Sequence, residues 1–321
     1  MTRAETTTVP RHGRVDAPGA AAIVRARDRS RGLALGVLGV VIFAMTLPMT
    51  RLAVGDASDA QLPPAFVTAA RAGLSGLLSL AYLRWVGAAR PAREHWHLLA
   101  ISALGTVLGF PLFLALALRH VDAMHAAVIT GVLPLGTAMA AALWLRQRAS
   151  LGFWLCALIG CALVLVFAVQ RRQGGLSAGD GLLLLAVASA SIGYVAGAQV
   201  STRLPAEQVI CWVLVMSLPL TLPAMLATWP AAVGAVRLSA WVGLAYVTLF
   251  SMWLGFFAWY RGLALGGVLR VSQVQLLQPF LALLFAVPVL GERLDAMTVA
   301  FALLVMAVVF VGKHMPLRPP A

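Results

Sequence analysis

Arg71 is the residue that most needs a chemical explanation, because it interrupts an otherwise apolar run, "FVTAARAGLSGLLSL". An arginine near the middle of a membrane helix costs about 2.5–3.5 kcal/mol on insertion scales. It persists where a polar cavity, backbone carbonyls or a bound carboxylate offsets that cost. Arg71 is therefore read either as a fixed clamp between helices or as a contact to a solute. Gln275 and Gln278, three residues apart, share one helical face with donors and acceptors to offer. They can bind a solute or join helices, the latter worth about 0.6 kcal/mol per bond. Tyr194, Trp253 and Tyr260 are rings that can line a cavity and meet an apolar or cationic solute. Packing against neighbours or lipid is their plainer role.

His125 changes charge near neutral pH and is the candidate for proton coupling. An ordinary polar residue at a span mouth is the alternative, as for His97 and His120. Glu292 is assigned to the start of the helix that follows it, where negative charge is favourable. No Asp or Glu stands mid-span, so a carboxylate relay within the membrane is not expected. Cys156, Cys161 and Cys211 fall in apolar runs without metal-site spacing. No phosphate-binding glycine motif is present. Neither cofactor, metal nor enzyme activity is expected.

The elements that must hold these residues are apolar helices. The chain has 321 residues, 61% hydrophobic and only 11% charged, against about 25% charged for soluble domains. Leu98–Leu118, Gln208–Val236 and Val271–Gly291 contain no charged residue, and about 20 apolar residues suffice to span a bilayer. The pattern predicts an all-α membrane protein with ten transmembrane helices, at 32–52, 63–83, 97–118, 125–145, 151–169, 181–201, 208–228, 238–260, 271–290 and 296–312. The net charge of +13 is not read as a nucleic-acid signal. Seven arginines lie in residues 1–31, a segment expected to be a disordered cytoplasmic tail, and the rest mainly flank spans. With the N-terminus placed in the cytoplasm, 17 Arg or Lys fall on that side and six on the other, which puts both termini in the cytoplasm.

A repeat organises the spans. An offset of 145 residues lays Pro134 on Pro279, Thr130 on Gln275, Leu118 on Leu263, Gln147 on Glu292 and Arg148 on Arg293. The halves are then 32–170 and 181–312, joined by a linker at 171–180, with a short tail at 313–321. Five helices per half force the halves into opposite orientations, an inverted repeat. Halves of this kind can exchange conformations and open a central site to each face in turn. The related Pro134 and Pro279 are the hinge candidates, since proline frees a backbone carbonyl and kinks a helix.

The sequence resembles the EamA-type members of the drug/metabolite transporter superfamily, which have two five-helix repeats. The resemblance lies in the Arg71 stretch, in "HAAVITGVLPLGTAMAAALWLRQR" and in "RVSQVQLLQPFLALLFAVPVLGERL", with its proline and Gly-Glu-Arg end. It covers nearly all of 32–312. Gln147 stands where the family's glutamate usually does, so the first copy lacks the acid of the second. The resemblance implies a secondary transporter in a bacterial inner membrane that exports small organic metabolites, amino acids or drugs, with proton coupling. An importer of the same superfamily and a non-transporting membrane scaffold are the alternatives.

Overall fold

The computed structural model describes residues 18–146, 148–171, 177–266, 271–315 and 317–318. Eight helices among these are long and apolar enough to cross a membrane: α1 (Arg27–Val54), α2 (Pro64–Trp85), α3 (Arg93–Ala117), α4 (Ala123–Trp144), α5 (Leu151–Gln170), α6 (Ala178–Ser201), α7 (Glu207–Ala227) and α8 (Leu238–Gly266). Two shorter apolar helices follow, α9 (Val274–Leu290) and α10 (Ala296–Gly312). Each expected span thus has a helix. The last two fall short of the roughly 20 residues that a straight crossing needs.

Local chemistry explains the boundaries that differ from expectation. Helical backbone begins at Pro18, so 18–31 is helical rather than disordered. The segment "PGAAAIVRARDRSR" is rich in Ala and Arg, both strong helix formers. Residues 1–17 lie outside the described residues. α6 starts before 181 because Ser177 and Asp180 form a capping box. The Ser177 hydroxyl accepts the Asp180 N–H at 3.1 Å, and the Asp180 carboxylate accepts the Ser177 N–H at 2.7 Å. Most of the expected linker, 172–176, lies outside the described residues. α8 runs past Tyr260 and carries Arg261 within its last turns.

α1 breaks at Met45, and interruptions in four other helices fall in related pairs. α3 contains a π-helical segment, Ala103–Gly109, and α8 another, Val247–Leu254. The two lie within one residue of the 145-residue offset. α4 breaks after Ala123–Thr130 and resumes as Leu133–Trp144. The 3-10 segment Ser272–Leu277 leads into the α-helical Gln278–Leu290. Pro134 and Pro279 each sit in the first turn of the resumed segment, where a missing N–H costs no hydrogen bond.

Packing follows from small residues and an apolar exterior. A Cβ on Gly262 of α8 would stand 2.7 Å from the Gly36 nitrogen of α1, so these helices meet backbone to backbone. Two buried apolar clusters form the interior. One draws on all the helices but α7, centred on α4; the other joins α2, α3, α6 and α7 with Met252 of α8. Leu143, Leu158, Leu226 and Leu238 are each at least 67% exposed. Such side chains fit lipid, since water-facing helices present a polar face. Beside the helices, Arg148–Ala149 pairs antiparallel with Leu317–Arg318, which puts the segment after α10 next to the α4–α5 turn.

Candidate functional site

The helix interruptions converge on a cavity of about 560 Å³. α1, α2, α3, α4, α6, α8 and α9 all contribute to its wall. Six residues singled out from the sequence line it together: Arg71, Thr130, Tyr194, Tyr260, Gln275 and Gln278. Thr130 ends the first segment of α4 and Gln278 begins the resumed segment of α9, so the breaks present these groups to the cavity. A Cβ on Gly131, in the α4 break, would lie 3.6 Å from Pro279 Cγ, so the two breaks lie side by side.

Arg71 is 3% exposed and is the only ionised side chain lining the cavity among the described residues. Its Nη2 donates to the Ser251 hydroxyl at 3.2 Å. Ser251 in turn lies 2.8 Å from the Thr46 hydroxyl. Arg71 Nε and Nη1 are buried with no acceptor among the described residues. A guanidinium offers five N–H donors in a planar fork that suits a carboxylate or phosphate. The site therefore holds a desolvated cation with most of its hydrogen-bonding capacity unspent. Thr130 donates to the Ala126 carbonyl at 2.7 Å and Thr106 to the Ser102 carbonyl at 2.7 Å. With their protons used within the helix, both hydroxyls keep lone pairs to accept from a solute. Phe110, Phe256, Trp259 and the two tyrosines supply apolar wall.

Sequence reasoning missed Thr46, Thr106 and Ser251. One signal was available: Thr106 and Ser251 are 145 residues apart, the repeat offset, and both are hydroxyls in apolar runs. Trp253, by contrast, does not line the cavity. It faces Phe257 and Tyr82, with ring centroids 5.1 and 6.5 Å away. The helical turn that carries Ser251 and Met252 to the cavity carries Trp253 away from it.

The cavity extends toward the end of the molecule where α6 and α8 finish and α9 begins. Ser201, Ala264 and Gln275 lie on that side. Toward the opposite end, polar contacts join the helices. Glu292, assigned from sequence to the cap of α10, reaches α4 instead. Its carboxylate oxygens accept the N–H groups of Ala123 at 2.7 Å and Met124 at 2.8 Å. Asp295 caps α10, accepting the Thr298 N–H at 2.9 Å. Gly291 makes this reach feasible: it ends α9 at φ +70°, a left-handed conformation that favours glycine. Burial pushes the Glu292 carboxyl above its ordinary value, while the two backbone N–H groups pull it down.

His125, the coupling candidate, is 3% exposed and away from the cavity. Its Nε2 lies 2.6 Å from the Asp180 carboxylate, and its ring stacks on Phe167 at 5.0 Å. Arg51 donates to the carbonyls of Leu118 and of Val121, just past the end of α3. Cations are favoured at that end of a helix. Among the described residues no group of three or more His, Cys, Asp or Glu could hold a metal ion.

Known proteins match this chain along most of its length. The EamA-like transporter family matches it twice, at residues 30–169 and 177–311. The uncharacterized transporter YdeK of Bacillus subtilis (strain 168) is 42% identical over 279 residues, which is 87% of this chain and 96% of that protein. A protein crystal structure at 18% identity superposes with a TM-score of 0.59, covering 89% of this chain and 97% of the other.

Proposed function

The chain belongs to the EamA-like transporter family and is a multi-pass membrane transporter, and from that premise we propose that it exports small organic solutes carrying a carboxylate or similar anionic group. The carrying observation is Arg71, buried at the cavity wall with two unpaired guanidinium donors. An anionic group there would complete its hydrogen bonds and offset its desolvation. Gln275 and Gln278 would bind the polar remainder of the solute, and the aromatic wall its apolar part. The resumed segments of α4 and α9 start at Leu133 and Gln278, both at the cavity. The partial positive charge of a helix start adds to the same preference.

Transport follows alternating access between two inverted five-helix halves in a bacterial inner membrane, with both termini in the cytoplasm. The paired π segments and paired breaks support this reading, because each half carries one copy of each device. In this reading the cavity faces the side of Ser201, and the contacts of Glu292 act as the gate at the other end. The solute enters from the first side, and release requires the Glu292 and His125 contacts to part while α4 and α9 flex at Pro134 and Pro279. Proton coupling acts through the His125–Asp180 pair, whose separation on opening changes the environment of both groups.

The test is counterflow in proteoliposomes with a panel of organic acids, amino acids and amines. Carboxylate-bearing solutes should exchange, and Arg71→Gln should raise the concentration they need by about tenfold or more while the protein stays folded. Preference for amines lacking a carboxylate overturns the anionic reading. Flux indifferent to an imposed pH gradient rejects proton coupling.

A further inference from the structure

A second cavity lies on the outside of the bundle, apart from the solute site. It is a crevice of about 670 Å³ between α2 and α7, roofed by the α2–α3 turn. Its walls are two helical stripes: Leu80, Leu83 and Arg84 on α2, and Trp212, Val215, Met216 and Pro219 on α7. Residues spaced by three and four lie on one face, so each helix turns a single face to the crevice. Gly87, at φ +62°, turns the chain after α2, and the turn then brings Arg90 to the same mouth as Arg84. The Trp96 indole N–H donates to the Pro91 carbonyl at 3.1 Å and fixes the turn.

Three properties of the crevice select an occupant. Its mouth is cationic: Arg84 and Arg90 are exposed and form no ion pair among the described residues, and no acidic side chain lines the crevice. Its interior is apolar and reaches Pro219, twelve residues into α7, a depth of about 18 Å at 1.5 Å per residue. That is close to half of the ~30 Å hydrocarbon thickness, the depth of one leaflet. Between mouth and floor, the Trp212 indole N–H is buried with no acceptor among the described residues. Trp212 lies five residues into α7, about 7.5 Å below its start and between the basic mouth and the apolar floor.

We propose that this crevice is a binding site for an anionic phospholipid. Arg84 and Arg90 hold the phosphodiester, the Trp212 N–H donates to an ester carbonyl, and one acyl chain lies between α2 and α7. Another crevice gives the contrast. It measures about 690 Å³ and lies between α2, α7 and α8 near Met225 and Trp241, and no basic side chain lines it. Any acyl chain can fill that one; only the first can select a headgroup. The inference needs the chain to lie in a bilayer and does not depend on which solute it carries.

The experiment uses the purified full chain in detergent, supplied separately with phosphatidylglycerol, phosphatidylcholine and inorganic phosphate. Native mass spectrometry reads bound lipid and thermal unfolding reads stabilisation. Phosphatidylglycerol should be retained and should raise the Tm above that in phosphatidylcholine. In R84Q/R90Q its occupancy should fall at least about tenfold, given the attraction expected per basic residue, with the Tm in phosphatidylcholine unchanged. Val215→Trp, which fills the crevice and leaves the charge, should also lose the adduct. Four results overturn the proposal: equal retention of the two lipids, undiminished adducts in both variants, the same stabilisation from inorganic phosphate alone, or a protein dimer that Val215→Trp dissociates.

Discussion

The carboxylate of Glu292, in the turn between α9 and α10, accepts the backbone N–H groups of both Ala123 and Met124 at the first turn of α4. Ala123 and Met124 lie in the first family-matched segment and Glu292 in the second, so the contact ties the two segments together at the end of the cavity away from Ser201. A hydrogen bond to a charged group contributes about 1.5–3 kcal/mol, and each 1.4 kcal/mol is about tenfold in an equilibrium. Glu292→Ala should therefore shift the population toward opening at this end by at least about tenfold. The measurement is labelling of a cysteine at Ile129, buried beyond the contact, after the native cysteines are replaced. An impermeant maleimide added from the Glu292 side should react faster in the alanine variant. Equal rates would mean that the contact does not hold this end shut.

The same carboxyl makes a pH prediction. Burial raises it above the ordinary 4.5. A raised acid favours the protonated folded chain. Its stabilising contribution is present below the ordinary value and is lost as pH rises through the raised one. The Tm difference between wild type and Glu292→Gln should shift against the wild type as pH climbs above the ordinary 4.5. Parallel Tm profiles for the two proteins would show that the site does not titrate in this window.

How far the sequence revealed all this depends on the range of each interaction. Span positions and the lining residues Arg71, Thr130, Gln275 and Gln278 were legible because an apolar run marks its own polar exceptions. Glu292 was placed on the wrong helix because Asp295, three residues on, competes for the same cap. Nothing local reveals that Gly291 turns the chain toward α4. The His125–Asp180 pair was invisible for a similar reason: 55 residues separate its members. Trp253 was placed in the cavity on ring chemistry alone, whereas a one-residue step around α8 separates the cavity face from the packed face. The helical tail after Pro18 was hidden by its charge, which outweighed its Ala content in the reading of disorder.

Arg71 separates a structural role from a solute role. A clamp would make Arg71→Gln lose several degrees of Tm. With a single protein hydrogen bond from Nη2 and two unpaired donors, the substitution removes a costly buried charge and few contacts. The Tm in detergent should hold or rise, while KM for a carboxylate solute rises about tenfold to hundredfold, the loss of one or two charge-assisted hydrogen bonds. Arg71→Lys, which keeps the charge and loses the planar fork, should recover only part of the affinity. A large fall in Tm with unchanged KM would assign Arg71 to the scaffold.

His125 and Asp180 form a buried pair with side chains 3% and 2% exposed. Removing one side chain takes a short hydrogen bond from a buried polar group that keeps its other contacts, a loss of about 1–3 kcal/mol. His125→Gln and Asp180→Asn should each lower thermal stability clearly, and the double variant should lose much less than the sum. Additive losses would show that the two side chains act independently. A Tm in wild-type range for both singles would show that the pair contributes nothing to closure.

The breaks in α4 and α9 make the final prediction, on rate rather than affinity. Pro134 and Pro279 occupy the first turn of each resumed segment, so neither removes a helical hydrogen bond in this conformation. Their effect is to prevent the two segments from joining into one continuous helix. Alanine permits that joining, and Pro279 also packs against the α4 break at Gly131. Pro134→Ala and Pro279→Ala should leave solute affinity within about twofold while turnover drops about tenfold, the signature of a hinge that gates a cycle. Equilibrium solute binding and counterflow on the same preparations separate the two effects. A matched loss of affinity and turnover would make the prolines part of the binding wall, and unchanged turnover in both variants would place the bending elsewhere, with the π segments of α3 and α8 as the remaining pair of related irregularities.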